Sequence, residues 1–417
     1  MPMGTWLELP EDILMRIFAT MEIPDLTRAG SVCLSWHSAY SSLCRLGLYR
    51  RQQTPCLLYT SAAGGASAAS LYSLEEEKAY TLTLPDPPIC SRHIIGSSYG
   101  WIITADERSE LHLVNPITGE QVALPSVTTI EQVKPVFDDA GVLHKYKYSW
   151  YTGQVVVSDS PSIFALGDLR HYLFYKAFIS SDPSMSDYIV VLIHNPHTQL
   201  SFARGGDDRW TWLPPRADYE DCLFKDGLLY ALTEEGEIHA YDLSGPAVTQ
   251  KIIMDKMKDI ICEKMYIVQA PHGDLLQIWR SCDLLEDDED EDVSEPDFDP
   301  EAYVCMTTMI EVYKVDFSAK KLVKTSGLGE NALFIGHNQS LCLHSGEHPQ
   351  LKANQVYFTD NNEEYIKGFK NNRRDIGVFN LENNSSEEIV SPPLWSNWPT
   401  PVWIVPNPRK VNMTMQN

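Results

Sequence analysis

The amino-acid sequence predicts a mainly β fold that begins with a small α-helical N-terminal domain. The first 50 residues hold short apolar stripes at helical spacing, two of them introduced by a proline. From residue 51 onward the pattern changes to short apolar runs separated by turn residues, and this layout recurs. With 417 residues, 43% of them apolar, the chain has material for one small and one large domain. We therefore predict a helical domain over residues 1–50 and a β domain over residues 51–417.

The first predicted helix begins at Pro10, because the missing N–H of a proline costs nothing in the first helical turn. Glu11 and Asp12 follow, and their charges suit the positive end of the helix dipole. The apolar stripe of this helix recurs at helical spacing and comprises Leu9, Ile13, Leu14, Ile17 and Phe18. This spacing predicts an amphipathic helix of roughly ten residues.

Two further helices follow. Pro24 repeats the start signal for a second, shorter helix, and the pattern Val-Cys-x-x-Trp at residues 32–36 heads a third that runs to about Leu46. Three such helices span about 45 residues, which is near the lower size limit for a unit that folds alone. One interpretation is a helical cap whose apolar side chains pack on the β domain.

The segments LPEDILMRIF and IPDLTRAGSVCLSW resemble the F-box, a helical motif that docks on partner helices. This resemblance covers about 40 residues and implies that the helices bind a Skp-type adaptor and, through it, a cullin scaffold. Two places depart from the pattern: Ile23 replaces the usual Leu, and small residues occupy positions 29–30. The positions that match, and that the resemblance assigns to adaptor binding, are Leu9, Pro10, Ile13, Leu14, Ile17, Ile23, Pro24, Leu26, Val32, Cys33 and Trp36.

The β domain contains approximate repeats, each a three- or four-stranded antiparallel unit. The stretch GWIITADERSELHLVNPITGEQVALP reads as three strands joined by turns, and DCLFKDGLLYALTEEGEIHAYDL repeats the layout. Such repeats favour a β-propeller, with six blades as our estimate and seven as the alternative count. The C-terminal PVWIVP is expected to close the ring beside the first strands. An irregular β-sandwich is the alternative fold.

The order and content of these strands resemble the KIB-type β-propeller, a domain that follows the F-box in a large plant family. The stretches that carry the resemblance include GDLLQIWR, EVYKVDFSAKKL and NQVYFTDNN, and the likeness extends over about 300 residues. It implies an architecture and leaves the target unnamed.

An acidic loop is predicted at residues 284–302, because eleven of the sixteen residues in 286–301 are Asp or Glu. Like charges at this density cannot pack together, so the segment is expected to be solvated and disordered. A calcium-binding loop is excluded, because Val293 occupies the position that needs Gly and Asp299 the position that needs Glu.

The overall charge and the cysteines restrict the partners and the compartment. With 33 Lys and Arg against 57 Asp and Glu, the net charge of −24 disfavours nucleic acid and membrane surfaces as partners. Nine scattered cysteines without a C-x-x-C pair indicate reduced thiols, neither a disulfide framework nor a zinc site. We therefore expect a cytoplasmic or nuclear protein that is not secreted, and we predict no cofactor and no metal.

Two motifs have residues typical of functional sites. GSSYG at residues 96–100 matches the G-x-S-x-G of hydrolases, but strands flank it on both sides, so a hairpin turn is predicted. Trp395, Trp398 and Trp403 lie near the C-terminus and either line a binding surface or, as aromatic residues more often do, pack in the closing blade.

These observations predict a non-catalytic substrate receptor of a Skp–cullin–F-box (SCF) ubiquitin ligase, in which the propeller binds an unknown protein target. Two alternatives stay open. One is a propeller enzyme with a helical cap, which a group of His, Asp and Glu side chains in the central channel would favour. The other is an F-box protein that sequesters its target without degradation.

Overall fold

The computed structural model describes most of the chain. The described residues are 9–49, 53–62, 64–152, 155–156, 160–185, 187–257, 262, 264–286, 303–362, 366, 370, 372–391 and 393–410.

The N-terminal helices form a small unit with its own core. They are α1 (Glu11–Phe18), α2 (Ile23–Gly30) and α3 (Leu34–Leu46). Pro10 lies at the N-cap position of α1, one residue before the first turn in which it was expected, and Gly47 ends α3 in the left-handed conformation at φ 63°, which glycine adopts without steric cost. The core of this helical unit is apolar and comprises Leu14, Phe18, Leu26, Ala29, Ala39, Leu43 and Tyr49. The aromatic ring of Phe18 meets the edge of Trp36, with 5.3 Å between the ring centroids.

The remaining described elements are thirty strands, a short helix and three 3-10 turns. The first seven strands are β1 (Cys56–Tyr59), β2 (Ala68–Ser73), β3 (Lys78–Thr83), β4 (His93–Ser98), β5 (Trp101–Ala105), β6 (Leu111–Val114) and β7 (Gln121–Ala123). The next five are β8 (Val133–Phe137), β9 (Leu143–Tyr148), β10 (Tyr151–Thr152), β11 (Val155–Val156) and β12 (Ser162–Ala165), followed by α4 (Leu169–Leu173). The next eight are β13 (Phe174–Ile179), β14 (Ile189–His194), β15 (Gln199–Arg204), β16 (Thr211–Leu213), β17 (Tyr219–Lys225), β18 (Leu228–Thr233), β19 (Ile238–Asp242) and β20 (Thr249–Met254). The last ten are β21 (Lys264–Gln269), β22 (Leu275–Glu286), β23 (Tyr303–Asp316), β24 (Lys321–Lys324), β25 (Asn331–Ile335), β26 (Leu341–His344), β27 (Gln355–Phe358), β28 (Gly377–Asn380), β29 (Ser385–Glu387) and β30 (Val402–Ile404). The 3-10 turns span Ile89–Ser91, Val127–Thr129 and Ser345–Glu347.

Most of the strands form six sheets of four or five strands. Sheet 1 has the order β3-β2-β1-β30, sheet 2 the order β4 to β7, and sheet 3 the order β13 to β16. Sheet 4 runs from β17 to β20, sheet 5 from β21 to β24, and sheet 6 has the order β26-β25-β27-β28-β29. The C-terminal strand β30 pairs antiparallel with β1, which confirms that the end of the chain joins its first strands.

These sheets are the blades of a β-propeller, which confirms the predicted fold class. The inner strands of neighbouring sheets contact one another in the order β30, β4, β13, β17, β21 and β26. An apolar cluster that includes Leu57 and Tyr59 of sheet 1 and Ala332 and Phe334 of sheet 6 joins the last sheet to the first. A three-stranded sheet, β8, β9 and β12, lies outside this cycle between sheets 2 and 3, with the hairpin β10–β11 beside it. The blade count, six with seven as the alternative, stays a prediction.

The acidic loop predicted at 284–302 interrupts the longest hairpin of the β domain. Strand β22 ends at Glu286 and β23 begins at Tyr303. Residues 284–286, predicted to belong to the loop, pair with β23 instead, so the strand extends three residues into the predicted loop. The rest of the predicted loop lies outside the described residues.

A short loop crosses the central channel of the propeller. This channel loop, residues 336–340, connects β25 to β26, and it reaches both sheet 2 and sheet 4. The backbone N–H of Gln339 donates to the carbonyl oxygen of Ser97 at 2.9 Å, and the Ser98 hydroxyl donates to Gln339 Oε1 at 2.6 Å. The Ser340 hydroxyl donates to Asp221 Oδ2 at 3.1 Å. The loop therefore ties together sheets that lie far apart in the sequence.

The helical unit is joined to the propeller by polar contacts. Glu22, at the N-terminus of α2, provides no side-chain cap, and Gln53 Oε1 accepts a hydrogen bond from the Ile23 N–H at 2.8 Å in its place. The guanidinium of Arg28 pairs with Glu76 in the turn between β2 and β3 at 2.9 Å. Because these contacts come from α2 and from the segment that follows α3, the propeller holds one side of the helical unit.

A buried histidine in sheet 3 predicts a pH dependence of stability. His194 is fully buried, with Nδ1 2.7 Å from the carbonyl oxygen of Asn195 and Nε2 2.8 Å from the Ser201 hydroxyl. Burial lowers the pKa of His194 from 6.5 to about 4. The unfolded chain therefore binds the proton more readily. The contribution of neutral His194 to the free energy of unfolding is therefore complete above pH 6.5. It is lost as the pH falls towards 4, and the free energy of unfolding falls by about 3 kcal/mol in total.

We expect the variant His194→Gln to lose this part of the pH dependence, measured as the free energy of unfolding in denaturant between pH 7 and pH 4. The carboxyl groups titrate in the same range, so the difference from the unsubstituted protein isolates the histidine. His272→Gln, at an exposed position in the turn between β21 and β22, is the control for the substitution itself. Identical profiles for all three proteins would contradict the prediction.

Candidate functional site

The helical unit exposes apolar side chains on the side that the propeller leaves free. Leu34, the first residue of α3, is 90% exposed, Val32 is 56% exposed and Ile17 is 37% exposed. Pro10, directly before the first residue of α1, is exposed as well. Exposed apolar groups of this kind, on a unit that otherwise packs a regular core, are typical of a surface that binds a partner.

The eleven residues that the sequence assigned to adaptor binding divide into three groups by exposure. The exposed residues are Pro10, Ile17 and Val32. The half-buried residues are Leu9, Ile13, Pro24, Cys33 and Trp36. The buried residues are Leu14, Ile23 and Leu26. The buried three therefore serve the core of the unit and its contact with the propeller, and only the other eight present atoms for docking; the assignment of these eight to the adaptor stays a prediction.

Leu34 is the residue that the sequence analysis did not assign. It lies between Cys33 and Trp36, which the motif singles out, and its side chain is the most exposed large apolar group of the described residues. No local signal in the sequence marks this exposure, because it depends on how α3 packs against the other helices. Cys33, the residue directly before Leu34, has an extended backbone, at φ −162° and ψ 173°.

Cys33 also lies on this surface. The hydroxyl of Ser35, 3.1 Å from the Cys33 sulfur, and the backbone N–H of Trp36 lower the pKa of the Cys33 thiol by hydrogen bonding. Because the same two donors belong to the first turn of α3, they hold the Cys33 side chain at the start of that helix.

The central channel contains a cavity of about 550 Å³. Its lining carries two charged side chains, Asp182 and Arg409, and no histidine. In the part of the chain that the structure describes, no group of three or more His, Cys, Asp or Glu side chains is arranged to hold a metal ion. The group of acidic residues and histidines that would favour a propeller enzyme therefore does not line this cavity.

GSSYG and the C-terminal tryptophans have structural roles. GSSYG forms the turn of the β4–β5 hairpin, where Tyr99 and Gly100 have φ values of 51° and 83°. Trp403 is 1% exposed and packs edge-on against Phe334, with 5.1 Å between ring centroids. Trp398 stacks on His93 with 5.4 Å between ring centroids. Packing is thus the observed use of these aromatic residues.

None of the described helices has the length and apolar content that a membrane-spanning helix requires.

Comparison with known proteins assigns both parts of the chain to families. Residues 6–46 match the F-box-like family model, and residues 71–380 match the KIB1-4 beta-propeller model. A relative from Arabidopsis thaliana, provisionally named an F-box protein, is 22% identical over 414 residues and shares 96% of this chain and 98% of its own. A second F-box protein from the same plant is 23% identical over 393 residues, which cover 90% of this chain and 91% of its own.

The Arabidopsis F-box protein KIB4 is 24% identical over 240 residues, which cover 56% of this chain and 58% of its own. The family model for the propeller spans most of the β domain, and the model for the helical unit spans all three helices. The chain therefore belongs to the KIB1-4 beta-propeller family and carries an F-box-like unit ahead of its propeller.

Proposed function

We propose that this protein is the substrate-recognition subunit of an SCF-type ubiquitin ligase. The helical unit binds a Skp-type adaptor, which connects it to a cullin scaffold, and the propeller binds the protein target. The observation that carries the proposal is the exposed apolar surface of the F-box-like unit, which includes Val32 and Leu34. Burying such a surface against the helices of a partner lowers the free energy of the complex.

In this role the chain contributes proximity and orientation, and the ubiquitin transfer is performed by other subunits. Two contacts between the helical unit and the propeller support this role: Gln53 accepts from the Ile23 N–H of α2, and Arg28 of α2 pairs with Glu76. A joint fixed by such contacts holds a bound target in one orientation relative to the adaptor. The nine cysteines of the described residues are all free thiols, which is compatible with a cytoplasmic or nuclear location. Sequestration of a target without degradation uses the same two surfaces and is separated from degradation by target turnover in cells.

The first test concerns the adaptor. The double variant Leu9→Ala with Pro10→Ala removes a half-buried and an exposed apolar group from the start of α1, and truncation at anchor positions of an interface costs more than about 1 kcal/mol. We expect co-purification with a Skp-type adaptor to weaken. Equal yields of adaptor with the double variant and with the unsubstituted protein would contradict the assignment of α1 to the docking surface.

The second test concerns the target. We expect the loops of the propeller to bind it, because loops held by a rigid scaffold commonly carry binding residues, and we favour the end of the propeller away from the helical unit. A full-length chain that has lost the adaptor by a substitution in the helical unit should still capture the same targets in proximity labelling. The net charge of −24 favours targets with a basic surface, so added salt should release them. Targets that disappear together with the adaptor would contradict binding by the propeller.

A further inference from the structure

Two cysteines lie close together at the loop end of the β22–β23 hairpin. In the register of this antiparallel pair, Cys282 of β22 lies opposite Thr307, and Cys305 of β23 lies opposite Leu284. Because Cys305 is two residues from Thr307, its side chain projects from the same face of the hairpin as those of Thr307 and Cys282. The two cysteines are therefore diagonal neighbours across the strands, a spacing at which side chains still interact.

The thiols of these two residues are in contact. A hydrogen bond joins the side chains of Cys282 and Cys305, and both residues are free thiols. Cys282 is half-buried, whereas Cys305 is 5% exposed. Of the two sulfurs, the one of Cys282 is therefore the one that a small reagent from solution reaches first.

A buried cation lies beside this pair of thiols. Arg280 is 2% exposed, and its Nε donates to the Thr307 hydroxyl at 2.8 Å, on the face of the hairpin that carries both cysteines. Its Nη2 donates to Asp375 at 2.8 Å, and the same carboxylate accepts the Thr307 hydroxyl at 2.6 Å. These hydrogen bonds fix the guanidinium close enough to Cys282 for its charge to act on the thiol.

These surroundings give the two thiols different roles. The hydrogen bond from Cys305 and the positive charge of Arg280 lower the pKa of the Cys282 thiol, although burial and the Asp375 carboxylate act in the opposite sense. The hydrogen bond to Cys282 and burial raise the pKa of the Cys305 thiol. Cys282 is therefore the sulfur that ionises. A thiol that ionises readily, is reached by solvent and has a second thiol beside it is typical of cysteines that react with peroxide.

We propose that Cys282 and Cys305 form a reversible disulfide when the protein meets hydrogen peroxide. The Cys282 thiolate attacks one peroxide oxygen and the O–O bond breaks, which gives a sulfenic acid and a hydroxide that becomes water with the proton Cys282 released. The Cys305 sulfur then attacks the Cys282 sulfur and displaces hydroxide, which leaves as water with the Cys305 proton. The two sulfurs lose two electrons in total, and the peroxide gains them. A dithiol reductant reverses the reaction by thiol–disulfide exchange.

The loop end of the hairpin can accommodate this bond. A disulfide requires Cα atoms within about 7 Å of each other, whereas diagonal neighbours commonly lie about 7–8 Å apart, so the two strands must approach slightly. In the described ladder, β22 pairs with β21 as far as Arg280, and the register of β22 with β23 shifts between Ser281 and Cys282. The approach therefore changes the pairing of two strands and leaves the four-stranded part of sheet 5 in place.

The disulfide does not depend on the proposed ligase function, since its test measures the chemistry of the thiols alone. Disulfides of proteins in reducing compartments are usually transient and redox-sensing, so a reversible bond agrees with the expected cytoplasmic or nuclear location.

The experiment treats the reduced full-length chain with hydrogen peroxide at neutral pH, alkylates the remaining thiols with iodoacetamide and analyses tryptic peptides by mass spectrometry. Trypsin releases both cysteines in one peptide, residues 281–314, because no Lys or Arg lies between Arg280 and Lys314. We expect this peptide to lose two hydrogens and both alkylation sites together, about tenfold faster than the half-buried Cys90 and Cys262 lose theirs. Dithiothreitol should restore both sites. Oxidation of peptide 281–314 that is no faster than that of Cys90 and Cys262, or that stops at one cysteine, would overturn the proposal.

Three single variants test the separate roles of the thiols. Cys305→Ser should stop the reaction at the sulfenic acid of Cys282, which dimedone labels, and Cys282→Ser should leave Cys305 open to alkylation. Cys262→Ser removes another half-buried thiol and is the matched control, which should form the disulfide at the rate of the unsubstituted protein. Circular dichroism confirms that the variants are folded. Oxidation of Cys305 in Cys282→Ser at the unsubstituted rate would overturn the assignment of Cys282 as the sulfur that attacks peroxide.

Discussion

Replacing Leu34 with aspartate is expected to reduce the affinity for a Skp-type adaptor by about 30-fold or more, because a central apolar anchor contributes about 2 kcal/mol or more to an interface. The substitution removes the most exposed large apolar side chain among the described residues of the helical unit and introduces a charge that the interface would have to bury unpaired. The fold itself should tolerate it. Leu34 is 90% exposed, and an acidic side chain at the first residue of α3 interacts favourably with the helix dipole.

Leu48→Asp provides the matched control for this measurement. Leu48 is also a leucine, is 56% exposed and lies past the other end of α3, roughly 20 Å away at 1.5 Å per helical residue. Titration of the adaptor by calorimetry or by surface-based binding should show the large loss for Leu34→Asp alone. A comparable loss in both variants would indicate a general effect of charge, and full binding by Leu34→Asp would place the adaptor on another surface.

The second large effect is expected at an ion pair buried beside the central channel. Lys176 on β13 donates to Asp221 on β17 at 2.8 Å, and the two side chains are 5% and 0% exposed. Asp221 also accepts the Ile267 N–H at 2.9 Å and the Ser340 hydroxyl of the channel loop. Removing the carboxylate by Asp221→Ala leaves a buried ammonium and two further donors without their acceptor. A cost of about 3–5 kcal/mol in the free energy of unfolding is expected.

A surface pair of the same chemistry isolates the contribution of burial. Lys314 donates to Asp274 at 2.7 Å, but both side chains are about half exposed. Asp274→Ala should therefore change the free energy of unfolding by no more than about 1 kcal/mol. Unfolding in denaturant measures both values, and the slope of each transition should stay unchanged. Equal costs for the two substitutions would show that the buried pair does not hold the three sheets and the channel loop together.

The parts of the fold that local sequence signals determine could be predicted. Proline and acidic residues at helix starts indicated α1 and α2, and turn residues such as Asp226-Gly227 indicated hairpins, because these signals act within a few residues. The closure of sheet 1 by β30 followed from the repeated layout of the blades, in which the last strand has only one place left to pair.

Other features depend on contacts between distant segments and left no local signal. The inserted sheet of β8, β9 and β12 consists of short strands with mixed burial, so neither a repeat nor a clean alternation marks it. The parallel pairing of β25 with β27 arises because β26 and the channel loop intervene between them. The exposure of Leu34 depends on the angle between two helices, and the cavity wall is assembled from several sheets, so neither could be read from spacing.

The pairing of β30 with β1 also imposes an order on biosynthesis. The helical unit and sheets 2 to 6 are complete in the growing polypeptide before residues 402–404 have been added, but sheet 1 lacks its inner strand until then. The ring therefore cannot close until residues 402–404 have left the ribosome. During translation the three helices of the F-box-like unit emerge before any strand of the propeller, and sheet 1, the first sheet to begin, is the last of the six to be completed.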